Sequence, residues 1–116
     1  MPDTSLLTPL EFHVVMALRR GASYGYALMK EVERQSRGRL TPDVGTLYRV
    51  LARLMAGDLV EECPAPADAP DTHRGRPRKY YGLTPHGVSA ARAEAERLAE
   101  LVELARDHDL LQGETP

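Results

Sequence analysis

Apolar residues recur along the chain at spacings that change from segment to segment, and the changes divide it into elements. Leu10, Val14, Ala17 and Leu18 fall at helical intervals, with Phe12, Val15 and Met16 alongside. Such broad apolarity predicts a first helix buried on most sides. Thr8-Pro9-Leu10-Glu11 opens it: Thr8 caps, Pro9 suits the first helical position, and Glu11 completes a capping box. Gly21 ends it. Ser23 is placed to cap a second helix, Tyr24 to about Ser36, with Leu28 and Val32 facing inward. Arg37-Gly38-Arg39 reads as a turn, and Thr41-Pro42 starts a third helix that runs to Met55. On it Leu47, Val50, Leu51 and Leu54 share one face and are expected to point to the core.

Beyond Gly57-Asp58 the pattern shortens. Leu59-Val60-Glu61-Glu62-Cys63 predicts a strand, and Lys79-Tyr80-Tyr81-Gly82-Leu83 a return strand with aromatics suited to a sheet. Between them Pro64 to Arg78, rich in Pro, Ala, Asp and Arg, reads as an extended loop. Thr84-Pro85 caps a last helix reaching about Leu111. The order is helix, helix, helix, strand, loop, strand, helix, which is the winged-helix plan. The expected fold is therefore mainly α with a two-stranded β wing. Residues 1–83 would form a winged helix-turn-helix DNA-binding domain, and 84–112 a long C-terminal dimerisation helix.

That last helix carries a second pattern. Val88, Ala91, Ala95, Leu98, Val102 and Ala105 alternate steps of three and four, a heptad seam that Leu101 and Leu104 broaden. Its alanines suit close approach of two backbones, while Glu94, Glu96, Arg97, Glu100, Glu103 and Arg106 flank it as a solvated face. A helix this long exceeds what so small a domain can cover, which favours a homodimer seam over packing on its own domain alone.

Composition narrows the picture. A chain of 116 residues fits one domain, and 42% hydrophobic residues can build a core, which one Phe, no Trp and five Tyr oblige to be aliphatic. No apolar run approaches a membrane span, and no basic stretch leads into a signal-like segment. Cys63 is the sole cysteine, so an intrachain disulfide is excluded and a cytoplasmic location is expected. A structural thiol is the simpler reading of Cys63 than a redox sensor at the base of the wing.

The net charge of −2 hides two basic patches. From Arg34 to Arg53 five arginines stand against Asp43, and from His73 to Leu83 there are Arg74, Arg76, Arg78 and Lys79 with no acid. Acids collect instead between Leu54 and Thr72 and after Leu83. Because charge is screened over roughly 8 Å at physiological salt, the patches matter more than the total.

The first patch includes the outer face of the third helix: Gly45, Thr46, Arg49, Ala52 and Arg53, with Tyr48 at the margin and no acid. A helix entering a major groove needs this composition, with arginine for guanine edges or phosphates, threonine for either, and small residues for close approach. The second patch is the loop His73-Arg74-Gly75-Arg76-Pro77-Arg78-Lys79, which Pro77 stiffens into an extended strip. It is similar to the Arg-Gly-Arg-Pro core with which some chromosomal proteins bind AT-rich minor grooves, where narrow width attracts arginine. Tyr26, Tyr80 and Tyr81 are expected to be core bodies with hydroxyls at the surface. Tyr24 and Tyr48 stand between packing and a DNA contact, and join Thr46, Arg49, Arg53, Arg74, Arg76, Arg78 and Lys79 as candidate DNA-binding residues.

With these residues in view, a resemblance emerges. Ser23-Tyr24-Gly25-Tyr26-Ala27-Leu28, then Gly45-Thr46-Leu47-Tyr48 with Leu51 and Leu54, then Gly75-Arg76 and Lys79-Tyr80-Tyr81-Gly82-Leu83-Thr84 with Gly87, resemble the PadR family of transcriptional regulators. Order and spacing hold from Leu7 to Gly87, and the short C-terminal part resembles the compact subgroup with a single such helix. Arg49, where many members have Pro, and Gly57-Asp58, near where they have Glu-Gly, depart from the pattern and bear on half-site sequence more than on fold. The resemblance implies a homodimer, DNA contact through the helix of Thr46 and Tyr48 and through the wing at Arg76, and repression of double-stranded operator DNA relieved by a small molecule. Without Trp, a hydrophobic or phenolic effector would meet aliphatic side chains and Tyr.

Enzymatic readings find no support. No nucleophile, base and acid form a recognisable motif, no glycine-rich phosphate loop follows a strand, and His13, His73, His86 and His108 lack metal-site spacing. No cofactor is expected. Two rivals from other classes are a winged helix used to bind proteins and a ligand-sensing module with weak DNA binding. A protein-binding face would show exposed aliphatic or aromatic anchors where the third helix has Arg, Thr and Gly.

Overall fold

The computed structural model describes residues 6–67 and 78–112. Thr8 and Glu11 make the capping box: the Glu11 N–H donates to Thr8 Oγ1 at 3.1 Å and the Thr8 N–H to Glu11 Oε1 at 2.9 Å. Helix α1 then spans Pro9–Arg19. Gly21, at φ 145°, takes the chain out of it through a conformation that favours glycine.

The next turn departs from expectation. Ser23 does not cap a helix; Ser23–Tyr24 form a short strand, β1, and α2 spans Gly25–Gln35 with Tyr24 at its N-cap and no side-chain cap bond. The sheet is accordingly three-stranded rather than two-stranded. Its order is β1-β3-β2, with β2 at Val60–Cys63 and β3 at Tyr80–Leu83, both neighbours antiparallel to β3. Tyr80 therefore lies between Tyr24 and Cys63.

Helix α3 spans Val44–Ala56. Its cap is Asp43 rather than the Thr41-Pro42 start expected: Asp43 Oδ1 accepts from the Thr46 N–H at 2.8 Å. The inward stripe is as read from the spacing, since Leu47, Val50, Leu51 and Leu54 are all buried. They meet Val14 and Val15 of α1, Leu28 and Val32 of α2, and Val60 and Tyr81 of the sheet in one core. Each fully buried aliphatic contributes about 1.5–3 kcal/mol from loss of water contact. Tyr80 and Tyr81 are buried as expected; Tyr26 is not, being 62% exposed. One turn of α2 places Gly25 and Leu28 inward and rotates Tyr26 out of the core.

Helix α4 spans Pro85–Asp107. Asp109, at φ 62°, ends it while the Leu110 N–H donates to the Ala105 carbonyl at 2.9 Å, so it stops short of Leu111. Its start is bolted to the sheet. Thr84 Oγ1 donates to the Asp58 carbonyl at 2.6 Å and accepts from the Gly87 N–H at 2.9 Å, while the Thr84 N–H donates to the Leu59 carbonyl at 3.1 Å. Gly87 lets the helix backbone pass so close to Leu59 that a β-carbon there would overlap the Leu59 carbonyl oxygen. No described helix is long and apolar enough to cross a membrane.

Candidate nucleic-acid interface

The outer face of α3 carries its functional groups in two unlike settings. At the N-terminal end Arg49 is exposed, with its guanidinium folded back so that Nη2 donates to Thr46 Oγ1 at 3.3 Å. The backbone and side chain of Thr46, then Arg49, hold the Asp43 carboxyl below the usual carboxylate range. Asp43 thus remains ionised and occupied in capping. Arg49 is exposed and Thr46 half-buried beneath it.

One helical turn on, Arg53 differs. Its side chain is 66% exposed, but Nε lies 2.9 Å from Glu11 Oε2, on a carboxylate only 8% exposed. Glu11 therefore serves two masters, closing the cap of α1 with one oxygen and holding α3 with the other. No acid lies on the outer face of α3 itself, as read from the sequence; the acid that meets Arg53 comes from α1, which no reading of α3 alone can find. Arg53 is thereby held at the α1 end of the helix, away from Thr46 and Arg49.

The tyrosines tie this helix to the base of the wing. The Tyr48 ring lies against Gly25, and a β-carbon at Gly25 would overlap the Tyr48 hydroxyl. Burial, then Tyr48 and Glu62 nearby, push the Tyr81 phenol up, so it stays neutral. Tyr24 and Tyr80 meet edge to face with centroids 5.4 Å apart, and the Arg78 guanidinium stacks 4.1 Å over the Tyr24 ring. Lys79 Nζ lies 3.7 Å from Glu62 Oε2, with both side chains exposed. Tyr24, Tyr48 and Arg78 are thus brought together around the start of α2, while Thr46 and Arg49 pair with each other on the outer face of α3; Arg74 and Arg76 lie outside the described residues. Burial and then Glu61 push the Cys63 thiol up, which keeps it protonated and a weak nucleophile.

Helix α4 is divided along its length. Ala91 packs on the winged domain's core, and Val88 and Leu98 are half-buried. Leu101, Val102 and Leu104 remain 46%, 41% and 50% exposed, and Ala95 is exposed while Ala105 is half-buried. Glu94, expected on the solvated flank, is instead buried: its carboxylate accepts from Arg97 Nε at 3.1 Å and from the Leu7 backbone. Those bonds, the Arg97 side chain first, hold its carboxyl below the ordinary value. Between α1, the end of α3 and α4 lies an open groove of about 820 Å³, floored by Leu7, Leu54 and Leu59 and walled by the Glu11–Arg53 and Glu94–Arg97 pairs.

Three helices, a three-stranded antiparallel sheet and a following long helix, with α3 presenting a basic outer face, define a winged-helix protein. The profile of the transcriptional regulator PadR-like family matches residues 14–93, and the chain belongs to that family. It is 39% identical over 88 residues to an uncharacterized 37.1 kDa protein in transposon TN4556 of Streptomyces fradiae; the match covers 76% of this chain but 22% of that protein's length. Among solved structures, it is similar to a PadR family transcription regulator from hypervirulent Clostridium difficile. That match has a TM-score of 0.70 and 21% identity, covering 87% of this chain and 98% of that one. A PadR-like transcription factor from Bacteroides fragilis matches with a TM-score of 0.68 and 28% identity, over 84% of this chain and 87% of the other.

Proposed function

We propose that this chain is a sequence-specific double-stranded DNA-binding transcriptional regulator, acting as a homodimer in which α4 is the dimerisation helix. The observation that carries the reading is the outer end of α3. Thr46, Tyr48 and Arg49 stand exposed or half-exposed on a helix whose opposite face is wholly buried, the arrangement a major-groove reading helix requires. Arg49 is the base-reading arginine. Arg53, held by Glu11, takes the lesser part, against phosphate or in fixing α3. Arg74, Arg76, Arg78 and Lys79 of the wing follow the backbone and the minor groove, which carry little base identity.

The exposed Leu101, Val102 and Leu104 support the dimer, since apolar residues one turn apart on a helix gain from a partner. Val88, Ala91, Ala95, Leu98 and Ala105 complete the seam proposed. Family membership favours repression relieved by a small hydrophobic or phenolic effector, and the groove between α1, α3 and α4 offers such a ligand an apolar floor. Binding-site selection from a random duplex library, repeated at rising salt, tests the function. A two-fold-symmetric site with half-sites about one helical turn apart and a steep salt dependence is expected. In the same selection, Arg49→Ala should relax one base position per half-site, whereas Arg76→Ala should weaken all sequences more evenly, AT-rich flanks most. A flat salt response, or equal binding of single strands, overturns the proposal.

A further inference from the structure

Resting on the DNA-binding reading above, we propose that Tyr26 and Lys30 of α2 form a phosphate contact. It would extend the interface from α3 towards the wing, using two residues that neither the α3 face nor the basic loop includes. Tyr26 is the most exposed aromatic side chain among the described residues, at 62%, although the helix carrying it buries Gly25, Leu28 and Val32. Core packing does not account for this tyrosine, and its ring adds helix propensity no better than a small polar residue would.

Lys30 lies one turn further along the same face. Its ammonium sits 5.5 Å from the Tyr26 ring centroid, a cation–π geometry that draws the long side chain towards the N-terminal end of α2. Among the described residues no carboxylate lies within ion-pair distance of Lys30, and the exposed acid on its face, Glu33, is three residues C-terminal, on the side from which the lysine leans away. By contrast, the other acid of the helix, Glu31, is engaged by Arg34 and by Arg20 at 3.8 Å. Lys30 is thus a cation held in place by an aromatic ring and left without an anion.

Position supplies the partner. Glu31 and Gln35 lie on the flank of α2 turned to α1, reaching Arg20 and the His13 carbonyl, the latter at 3.0 Å. Tyr26 and Lys30 fall on the opposite flank, by about 100° per residue. Gly25, next to Tyr26, is the residue against which the Tyr48 ring of α3 packs, and Tyr24 on its other side carries the stacked Arg78 of the wing base. The start of α2 therefore lies between the two basic elements. In a helix-turn-helix whose second helix enters the major groove, the preceding helix crosses the sugar-phosphate backbone. What Tyr26 and Lys30 meet there is a phosphodiester, with the tyrosine hydroxyl donating one hydrogen bond and the ammonium supplying charge.

Fluorescence titration of a selected duplex at several salt concentrations tests this with wild type, Lys30→Ala, Lys30→Arg, Tyr26→Phe and Arg49→Ala. Both side chains are exposed, so thermal unfolding of the α2 variants should match wild type. Lys30→Ala should lower the salt slope by about 1 and weaken binding several-fold on every sequence, with Lys30→Arg restoring the slope. Tyr26→Phe should weaken binding by a smaller factor with the slope intact. An unchanged affinity and slope for Lys30→Ala, or a loss confined to one base position, overturns the contact. If Arg49→Ala weakens binding while Lys30→Ala and Tyr26→Phe do not, only this inference fails; a wild type that ignores duplex DNA sinks the function reading itself.

Discussion

Helices α3 and α4 are both amphipathic, and they leave opposite things uncovered. Helix α3 buries Leu47, Val50, Leu51 and Leu54 and presents Thr46, Arg49, Ala52 and Arg53 outward, with only Val44 and Tyr48 as large apolar side chains left exposed. Helix α4 buries only Gly87 and Glu94 and leaves Leu101, Val102 and Leu104 in solvent, among charges of both signs. A helix of the first kind has buried its aliphatic stripe and offers positive charge to a polyanion. A helix of the second kind pairs part of its charge internally, through Glu94–Arg97 and Glu103–Arg106, and leaves apolar side chains that would gain from a partner. One chain thus carries two incomplete surfaces with different chemistry.

The contrast breaks most visibly at α4. Replacing Leu98 and Val102 together by Glu would put unpaired charge into the proposed seam. The expected result is a halved mass in sedimentation equilibrium and operator affinity lower by about a hundred-fold or more, as two linked half-sites become separate. An unchanged mass would remove α4 from the interface.

Gly87→Ala attacks the joint that both surfaces depend on. The added methyl collides with the Leu59 carbonyl, a backbone atom that cannot move without dragging β2. A destabilisation of about 1–3 kcal/mol should appear in denaturant unfolding. The neighbouring exposed substitution Ser89→Ala should cost far less.

Within α3, Arg49→Ala and Arg53→Ala should separate binding from stability. Arg49→Ala is expected to cost roughly 1–3 kcal/mol of specific affinity and little stability. Arg53→Ala leaves the Glu11 carboxylate without its guanidinium, so its main cost is in folding. That cost should fall near the low end of about 1–3 kcal/mol, because the arginine half of the pair stands in water. Parallel titration and melting curves decide, and equal behaviour of the two variants would erase the distinction drawn between them.

The smallest effect is that of acid on Glu94. Its folded-state carboxyl is held below the ordinary 4.5, so the stability it adds is complete above that value and drains away as pH falls through the lowered one. Glu94→Gln should flatten the acid limb of a stability-versus-pH curve below about pH 4.5 while leaving salt-dependent DNA binding alone.

Where one helix face sufficed, the residues told the fold directly. Thr8 and Glu11 specify a capping box from four positions, and the spacing of Leu47, Val50, Leu51 and Leu54 names the buried face of α3. Strand β1 escaped because two residues have no period to detect, and its pairing with Tyr80 and Tyr81 is made by a distant partner. The placing of Glu11 on Arg53, of Leu7 on Glu94 and of Tyr26 in solvent likewise depends on how elements dock. On α3, the outward or half-outward placing of Thr46, Tyr48 and Arg49 was legible from the helix alone. The ion pair of Arg53 was not, since its partner Glu11 is 42 positions away in the chain.

The Thr84 hydroxyl has a consequence for how the molecule measures. It binds the Asp58 carbonyl on the turn before β2 and the Gly87 amide in the first turn of α4, so strand and helix meet at a welded corner instead of a hinge. In the homodimer, two such corners would set the gap between the reading heads as the stiff arms of a caliper do. A protein so built would have little slack with which to follow a badly spaced site. Under the proposed dimeric reading, whatever bending or twisting brings the half-sites into register would come from the duplex, and the elasticity of the intervening base pairs would become part of what is recognised.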